Sequence, residues 1–332
     1  MATRLYRSLV QAELKSMEEK LAEIRSELAP GSTFKNKGKR LRPTLFLLVN
    51  KYTRFINGNK RAAGASEIAI AAAIELIHEA SLIHDDIVDR SEMRRGLPTF
   101  NFAYGDAMAI LVGDYLFTRS TSIFLEQADK VSDLRIVSKF IDLAIRTVRG
   151  EINQLHQLLF LEPNQERISL EAYLDIISAK TAVFFGACCE AGAVLAGGRN
   201  ELVNNFFDFG LNLGIQFQIV DDLLDVVGSE KKVGKSLRQN MREKTITLPF
   251  IIAYNHHRDN PVMRKLISGA DLTARESNQV YRWMSIPSVV QETREYMNRY
   301  TVLSQQALSR MPQCIYRLAL EDYLAFVTAR DF

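Results

Sequence analysis

Residues 75–89 read ELIHEASLIHDDIVD and close on three aspartates, Asp85, Asp86 and Asp89. Around them, residues 68–87 are otherwise alanine, isoleucine and leucine on nearly every side. The pattern predicts one helix. Projected at about 100° per residue, Glu75, His78, Glu79, Ser81, Asp85, Asp86 and Asp89 share one stripe, and His84 points the other way. A helix this apolar is buried. A buried helix cannot keep several carboxylates charged without a counter-charge. A cation or a solvated cavity must lie against the stripe.

The same device recurs at residues 217–225, FQIVDDLLD, where Gln218, Asp221, Asp222 and Asp225 share a helical face. Both aspartate sets have the form DDxxD. One set alone is as readily a solvated helix end. Two sets, each on an apolar helix, make an oxygen-lined clamp. Such a clamp suits Mg²⁺, which keeps waters and is completed by substrate phosphates.

The rest of the chain supports one large helical unit. It has 332 residues, 47% of them hydrophobic, with only 8 prolines, so a sizeable core is available and breakers are scarce. No low-complexity linker appears, and no repeat beyond the two DDxxD stretches. The expectation is a single all-α domain over residues 1–332. A formal charge of +3, from 42 basic and 39 acidic residues, predicts no nucleic-acid partner. Cys188, Cys189 and Cys314 form no CxxC pair, so a zinc or redox site is not expected and a reducing cytoplasm is. The amphipathic start, residues 1–21, is read as a helix packed on the domain. No stretch reads as a clean membrane span.

Outward from the first aspartates, helices are expected at 3–28, 44–55, 65–89, 105–128, 132–162, 170–196 and 200–227, and again from 247 onward. Basic loops flank the aspartates. PGSTFKNKGKRLRP (30–43) holds Lys39 and Arg42, RSEMRRGLPTFN (90–101) holds Arg94 and Arg95, and Lys235 follows the second set. A basic loop alone is usually a solvated face. Beside carboxylates the same residues describe a diphosphate site, since Arg forks grip phosphate bidentately and Lys supplies point charge. The surplus of basic loops points to two diphosphates.

In order along the chain stand GKRLRP (38–43), ELIHEASLIHDDIVD, RRGLPT (94–99), GDYL (113–116), GEINQ (150–154), AKTA (179–182) and FQIVDDLLD. This series resembles the trans-type polyprenyl diphosphate synthases. The resemblance implies the isoprenoid synthase fold, a helical bundle around a deep central cavity. It implies that Mg²⁺ assists loss of diphosphate from an allylic diphosphate. The double bond of isopentenyl diphosphate then attacks the cation, and a proton is lost.

Carried over, Asp85, Asp89 and Asp221 are the chief Mg²⁺ ligands, supported by Asp86, Asp222 and Asp225. Arg94, Lys180 and Lys235 hold the allylic diphosphate. Lys39, Arg42, His78 and Arg95 hold isopentenyl diphosphate. Thr181 and Gln218 turn oxygen dipoles toward the cation. His78 is also a candidate hydrogen-bonded core histidine, but its place on the aspartate stripe favours the site. Lys37 replaces the family's first glycine. Arg238, Asn240, Lys244 and Thr245 depart from its pattern in the flap after the second cluster.

Ala80 and Ser81, one turn before Asp85, set product length in such a site. Both are small, and the family's short-chain members carry aromatics there. Gly214 and Gly210 leave the facing helix open, with Phe207, Phe184 and Phe185 as floor candidates. The expectation is a hexaprenyl to decaprenyl product, heptaprenyl the central value, used as a quinone side chain. The enzyme is expected as a cytoplasmic homodimer, or a heterodimer with a small subunit, touching the membrane peripherally on product release. The alternatives are a short-chain farnesyl or geranylgeranyl synthase, or a subunit inactive by itself. A di-iron bundle would use Glu75-x-x-His78, but it needs a second such motif, and the chain has none.

Overall fold

The computed structural model describes residues 4–28, 38–59, 63–94, 96–131, 134–159, 169–227, 246–268, 270 and 272–329. In order they form α1 (Leu5–Ser8), α2 (Gln11–Ser26), α3 (Leu41–Ile56), α4 (Ala65–Val88), a ribbon of β1 (Met93–Arg94) and β2 (Leu97–Pro98), α5 (Phe100–Tyr104), α6 (Asp106–Val131) and α7 (Arg135–Leu159). Then come α8 (Leu170–Ile177), a π turn (Ser178–Ala182), α9 (Val183–Leu195) and α10 (Asn200–Val227). The chain continues as α11 (Leu248–His257), α12 (Pro261–Ile267), α13 (Ala274–Met284), α14 (Pro287–Ser309) and α15 (Ile315–Thr328). The fold is all-α apart from the ribbon.

Helix α4 is fixed at its start by Glu67. One carboxylate oxygen accepts the Gly64 N–H at 2.8 Å and the other meets Arg54 at 2.5 Å. It ends at Asp89, which caps it, followed by Arg90 at a φ of 50°. Asp85 and Asp86 therefore sit in the last turn, at the negative pole of the helix dipole. The first cluster therefore stands where backbone electrostatics disfavour it, which adds to the need for positive charge.

Helix α4 packs on α6, with His84 turned away from the aspartates and lying against Gly113. Helix α9 is held between α3 and α10. A Cβ at Gly214 would stand 2.5 Å from Ala182 Cα, and one at Gly210 would stand 2.5 Å from the Phe185 carbonyl oxygen. These two glycines are consumed by a close helix–helix approach and do not leave open space, a correction to the reading of them as a gap in the facing helix. The buried apolar residues fall into two clusters, and α10 runs through both, giving Phe206, Phe209 and Leu213 to one and Ile215, Ile219 and Val226 to the other.

The local differences from the sequence reading have tertiary causes. The first helix breaks at Leu9–Val10 so that Tyr6 can pack edge-on against Tyr323 at 5.2 Å while its N–H meets the Asp322 carboxylate at 3.2 Å. Helix α3 starts at Leu41 because Pro43 in the first turn forfeits no helical hydrogen bond. The run Leu170–Leu195 is long and apolar enough by composition to cross a membrane, yet 56% of its most apolar window is buried inside the molecule. Packing between α3 and α10 accounts for its apolarity.

Candidate active site

Asp85 is half-buried, and burial pushes its carboxyl up to about 6. Lys180 opposes that shift, Glu151 and Asp89 reinforce it, and Arg94 opposes it. Three elements therefore meet here: the end of α4, the π turn carrying Lys180, and α7 carrying Glu151. Lys180 Nζ pairs with Glu151 at 2.5 Å. Burial works against the lysine charge, but Asp85, Glu151 and Asp89 more than offset it and raise its pKa above the ordinary value.

Asp86 has a different task. It is buried, and one of its oxygens accepts from both Nε and Nη2 of Arg94, each at 2.7 Å. Its carbonyl accepts the Ser91 N–H at 2.9 Å and Asn101 Nδ2 at 3.3 Å. Asp86 thus folds the segment after α4 back on itself and aims Arg94. Arg95, Lys235, Lys37 and the flap positions Arg238, Asn240, Lys244 and Thr245 lie outside the described residues.

The second cluster divides similarly. Asp221 and Asp225 are half-exposed, while Asp222 is buried. Burial pushes the Asp222 carboxyl up to about 7, with Gln218, Tyr173 and the Leu248 N–H pulling it down and Asp225 pushing it up. Thr181 Oγ donates to Gln218 Oε1 at 3.0 Å.

Arg42 lies against α9 and the middle of α4. Its guanidinium stacks over Phe184 at 4.9 Å and Phe185 at 4.7 Å, and Nη1 is 3.2 Å from His78 Nε2. Burial lowers its pKa, and Cys188, Glu75 of α4, Tyr323 and Asp221 of α10 pull the other way. Its Nε is buried with no hydrogen-bond partner among the described residues, a donor awaiting an acceptor. Lys39 is exposed, with its ammonium 5.8 Å over the Phe326 ring. Phe184 and Phe185 are thereby engaged with Arg42.

Some of the stripe on α4 finds its cations inside the protein. Arg40 Nη1 reaches Glu75 at 2.5 Å and Glu79 at 3.2 Å, its Nε meets Glu18 at 2.6 Å, and Arg25 also pairs with Glu79. Ala80 is 2% exposed in the core. Ser81 is half-buried, with Oγ donating to the His78 carbonyl at 2.9 Å. Sequence reasoning alone does not single out Glu151, Arg40 or Tyr173. The first two stand inside GEINQ and GKRLRP, whereas Tyr173 carries no local signal.

Among the described residues, no three acidic, histidine or cysteine side chains come close enough to cage an ion by themselves. Mg²⁺ takes one or two carboxylates plus waters and phosphate oxygens. The donors are hard oxygens, and burial of Asp85 beside further carboxylates leaves the site short of positive charge.

The profile of the polyprenyl synthetase family matches residues 28–284. The chain belongs to this family. As a polyprenyl synthetase it is a trans-prenyltransferase. It is 29% identical over 332 residues to heptaprenyl diphosphate synthase component 2 of Geobacillus stearothermophilus, covering 98% of each chain. A polyprenyl synthase of Caulobacter crescentus, solved with calcium and isoprenyl diphosphate, superposes with a TM-score of 0.85 at 28% identity, over 98% of this chain and 97% of that one. The geranylgeranyl pyrophosphate synthase of Lactobacillus brevis superposes with a TM-score of 0.82 at 28% identity, over 97% of each. Fold alone therefore does not discriminate product length.

Proposed function

We propose that this polyprenyl synthetase condenses isopentenyl diphosphate with an allylic diphosphate in repeated rounds to a long all-trans polyprenyl diphosphate. The expected range is hexaprenyl to decaprenyl, heptaprenyl central, for quinone side chains. The observation that carries the two-substrate reading is Arg42, which feels Glu75 of α4 and Asp221 of α10 and keeps an unpaired buried donor beside His78. We treat residues 1–332 as one catalytic domain, an assignment supported by the passage of α10 through both core clusters.

In this reading Asp85, Asp89 and Asp221 hold Mg²⁺, with Asp225 beside them. When bound, it would supply charge neutralisation on the allylic diphosphate and so improve the leaving group. Lys180 and Arg94 bind that diphosphate, Arg94 aimed by Asp86 and Lys180 released from Glu151. Lys39, Arg42 and His78 bind isopentenyl diphosphate. Gln218 accepts the Thr181 hydrogen, which leaves the lone pairs of the Thr181 hydroxyl to stabilise the developing allylic cation. The proton lost as the new double bond forms passes to the released diphosphate.

The test is the product distribution of the purified chain with Mg²⁺, isopentenyl diphosphate and farnesyl diphosphate. Products of six to ten isoprene units support the proposal. Arrest at farnesyl or geranylgeranyl length, or no turnover, overturns it. Arg42→Ala should raise KM for isopentenyl diphosphate more than for the primer. A hydrogen bond to a charged group contributes about 1.5–3 kcal/mol, or roughly tenfold to a hundredfold. Equal effects on both substrates would refute the assignment of Arg42.

We also infer that a second copy of the chain covers an apolar face on α6 and α7. Met108, Leu111 and Leu125 on α6 and Ile141, Ile145, Val148 and Ile152 on α7 are all exposed, at helical spacing. A face of this extent on two adjacent helices suits a self-complementary two-fold contact. Light scattering should give twice the chain mass of 37.7 kDa. A monomer active only with a second, smaller protein would assign the face to a heteromeric partner instead. The protein is placed in the cytoplasm, with product released to the membrane.

A further inference from the structure

Tyr173 stands in α8, 4% exposed, in a segment with no motif. A continuous chain of hydrogen bonds joins it to side chains at the site. Its hydroxyl donates to Asp222 Oδ2 at 2.7 Å. Asp222 Oδ1 accepts from Gln218 Nε2 at 2.9 Å. Gln218 Oε1 accepts from Thr181 Oγ at 3.0 Å. The Leu248 N–H at the start of α11 adds a longer contact to Asp222 Oδ2 at 3.4 Å.

Two registers make the chain of bonds possible. Gln218 and Asp222 are four residues apart on α10 and share a face. Tyr173 and Thr181 are eight apart, which in a regular α-helix would set them about 80° apart around the axis. The π turn at Ser178–Ala182 absorbs one residue. The step then behaves as about seven helical residues, within about 20° of two full turns. Both side chains consequently face α10.

The chain of bonds also has a direction. An amide can point either way, and here Gln218 Nε2 donates to Asp222 Oδ1 while Gln218 Oε1 accepts from Thr181 Oγ. Asp222 therefore faces the NH₂ of Gln218 and leaves the amide carbonyl to Thr181. Asp222 could itself rotate unless its other oxygen were held. The Tyr173 hydroxyl holds it, in a buried place where an unmade hydrogen bond is costly.

We propose that Tyr173 is a positioning residue for prenyl transfer: through Asp222 it fixes the Gln218 amide, and through that amide the Thr181 hydroxyl beside the developing cation. This rests on the proposed function for what Thr181 faces, but not for the relay itself.

Tyr173→Phe keeps the ring and removes only the hydroxyl. It should lower kcat about tenfold and leave KM for both substrates within about twofold, since neither diphosphate is bound by this chain of bonds. In a Gln218→Ala background the same substitution should change kcat by less than about twofold, because the relay is already cut. Full kcat in Tyr173→Phe, or losses that multiply in the double variant, would show that Tyr173 only packs. A second readout does not need turnover. With glutamine-selective ¹⁵N labelling, exchange of the Gln218 side-chain amide should be slow in the wild type and faster in Tyr173→Phe. Equal exchange in both proteins overturns the relay. An inert wild type with the exchange difference intact overturns the proposed function instead.

Discussion

Replacing Asp85 or Asp89 by alanine lowers turnover by about a thousandfold and leaves the protein folded. Metal assistance to a leaving phosphate is worth several kcal/mol, and each 1.4 kcal/mol is about tenfold in rate. The two carboxylates are one turn apart on one helical face, so losing either would remove a ligand that the metal needs. Stability should move the opposite way for Asp85. Its carboxyl is raised to about 6, by burial first, from an ordinary carboxylate value of 3.8. A raised carboxyl contributes stability that is fully present below the unfolded value and is lost as pH rises through about 6. Above that pH the charged group opposes folding, and it also sits at the negative pole of α4. Asp85→Ala should therefore melt at the wild-type temperature or higher at pH 7.5, in calorimetry without ligands. EDTA should abolish activity and Mg²⁺ restore it. Normal turnover in EDTA, or in either variant, would sink the metal assignment.

Ser81→Phe shortens the product to about farnesyl or geranylgeranyl length. Ser81 is one turn before Asp85 on the same face of α4 and is half-buried, so a ring there projects beside the aspartates. An overfilled apolar site relaxes only at a cost, and a chain that cannot pass the ring stops growing. Ala80 is five residues before Asp85, about 140° around the helix, and is packed in the core. Ala80→Phe should therefore also lose about 1–3 kcal/mol of stability from overpacking. Chromatography of dephosphorylated products, together with melting curves, separates the two variants. If neither shortens the product, Ser81 and Ala80 do not gate the cavity.

The sequence made legible whatever has helical period. The one-turn spacing of Asp85 and Asp89 and of Asp221 and Asp225 follows from helical period, and of the basic-loop residues predicted to bind, Arg94 is found paired with a cluster carboxylate, Asp86. Helix α10 was predicted at its observed bounds. What stayed hidden depends on partners remote in sequence. Glu75 and Glu79 were expected to face a cation or a cavity, and Arg40 and Arg25 supply that charge. Asp86 and Asp222 match their DDxxD neighbours letter for letter, yet each is turned inward to hold Arg94 or Tyr173. Gly210 and Gly214 looked like open space because a missing side chain reads the same whether the gap is empty or filled by a neighbouring helix. The π turn left no trace, since SAKTA scans as ordinary helix.

That turn has a bearing on how this chain is aligned with its relatives. It is, in effect, an insertion of one residue that the fold retains. Deleting a residue from it would close it to a regular α-helix and keep the flanking faces in register, whereas deleting one from the α-helical residues beside it would swing everything upstream through about 100°. A gap placed a few positions away in an alignment therefore describes a different protein surface, even where every remaining letter is the same.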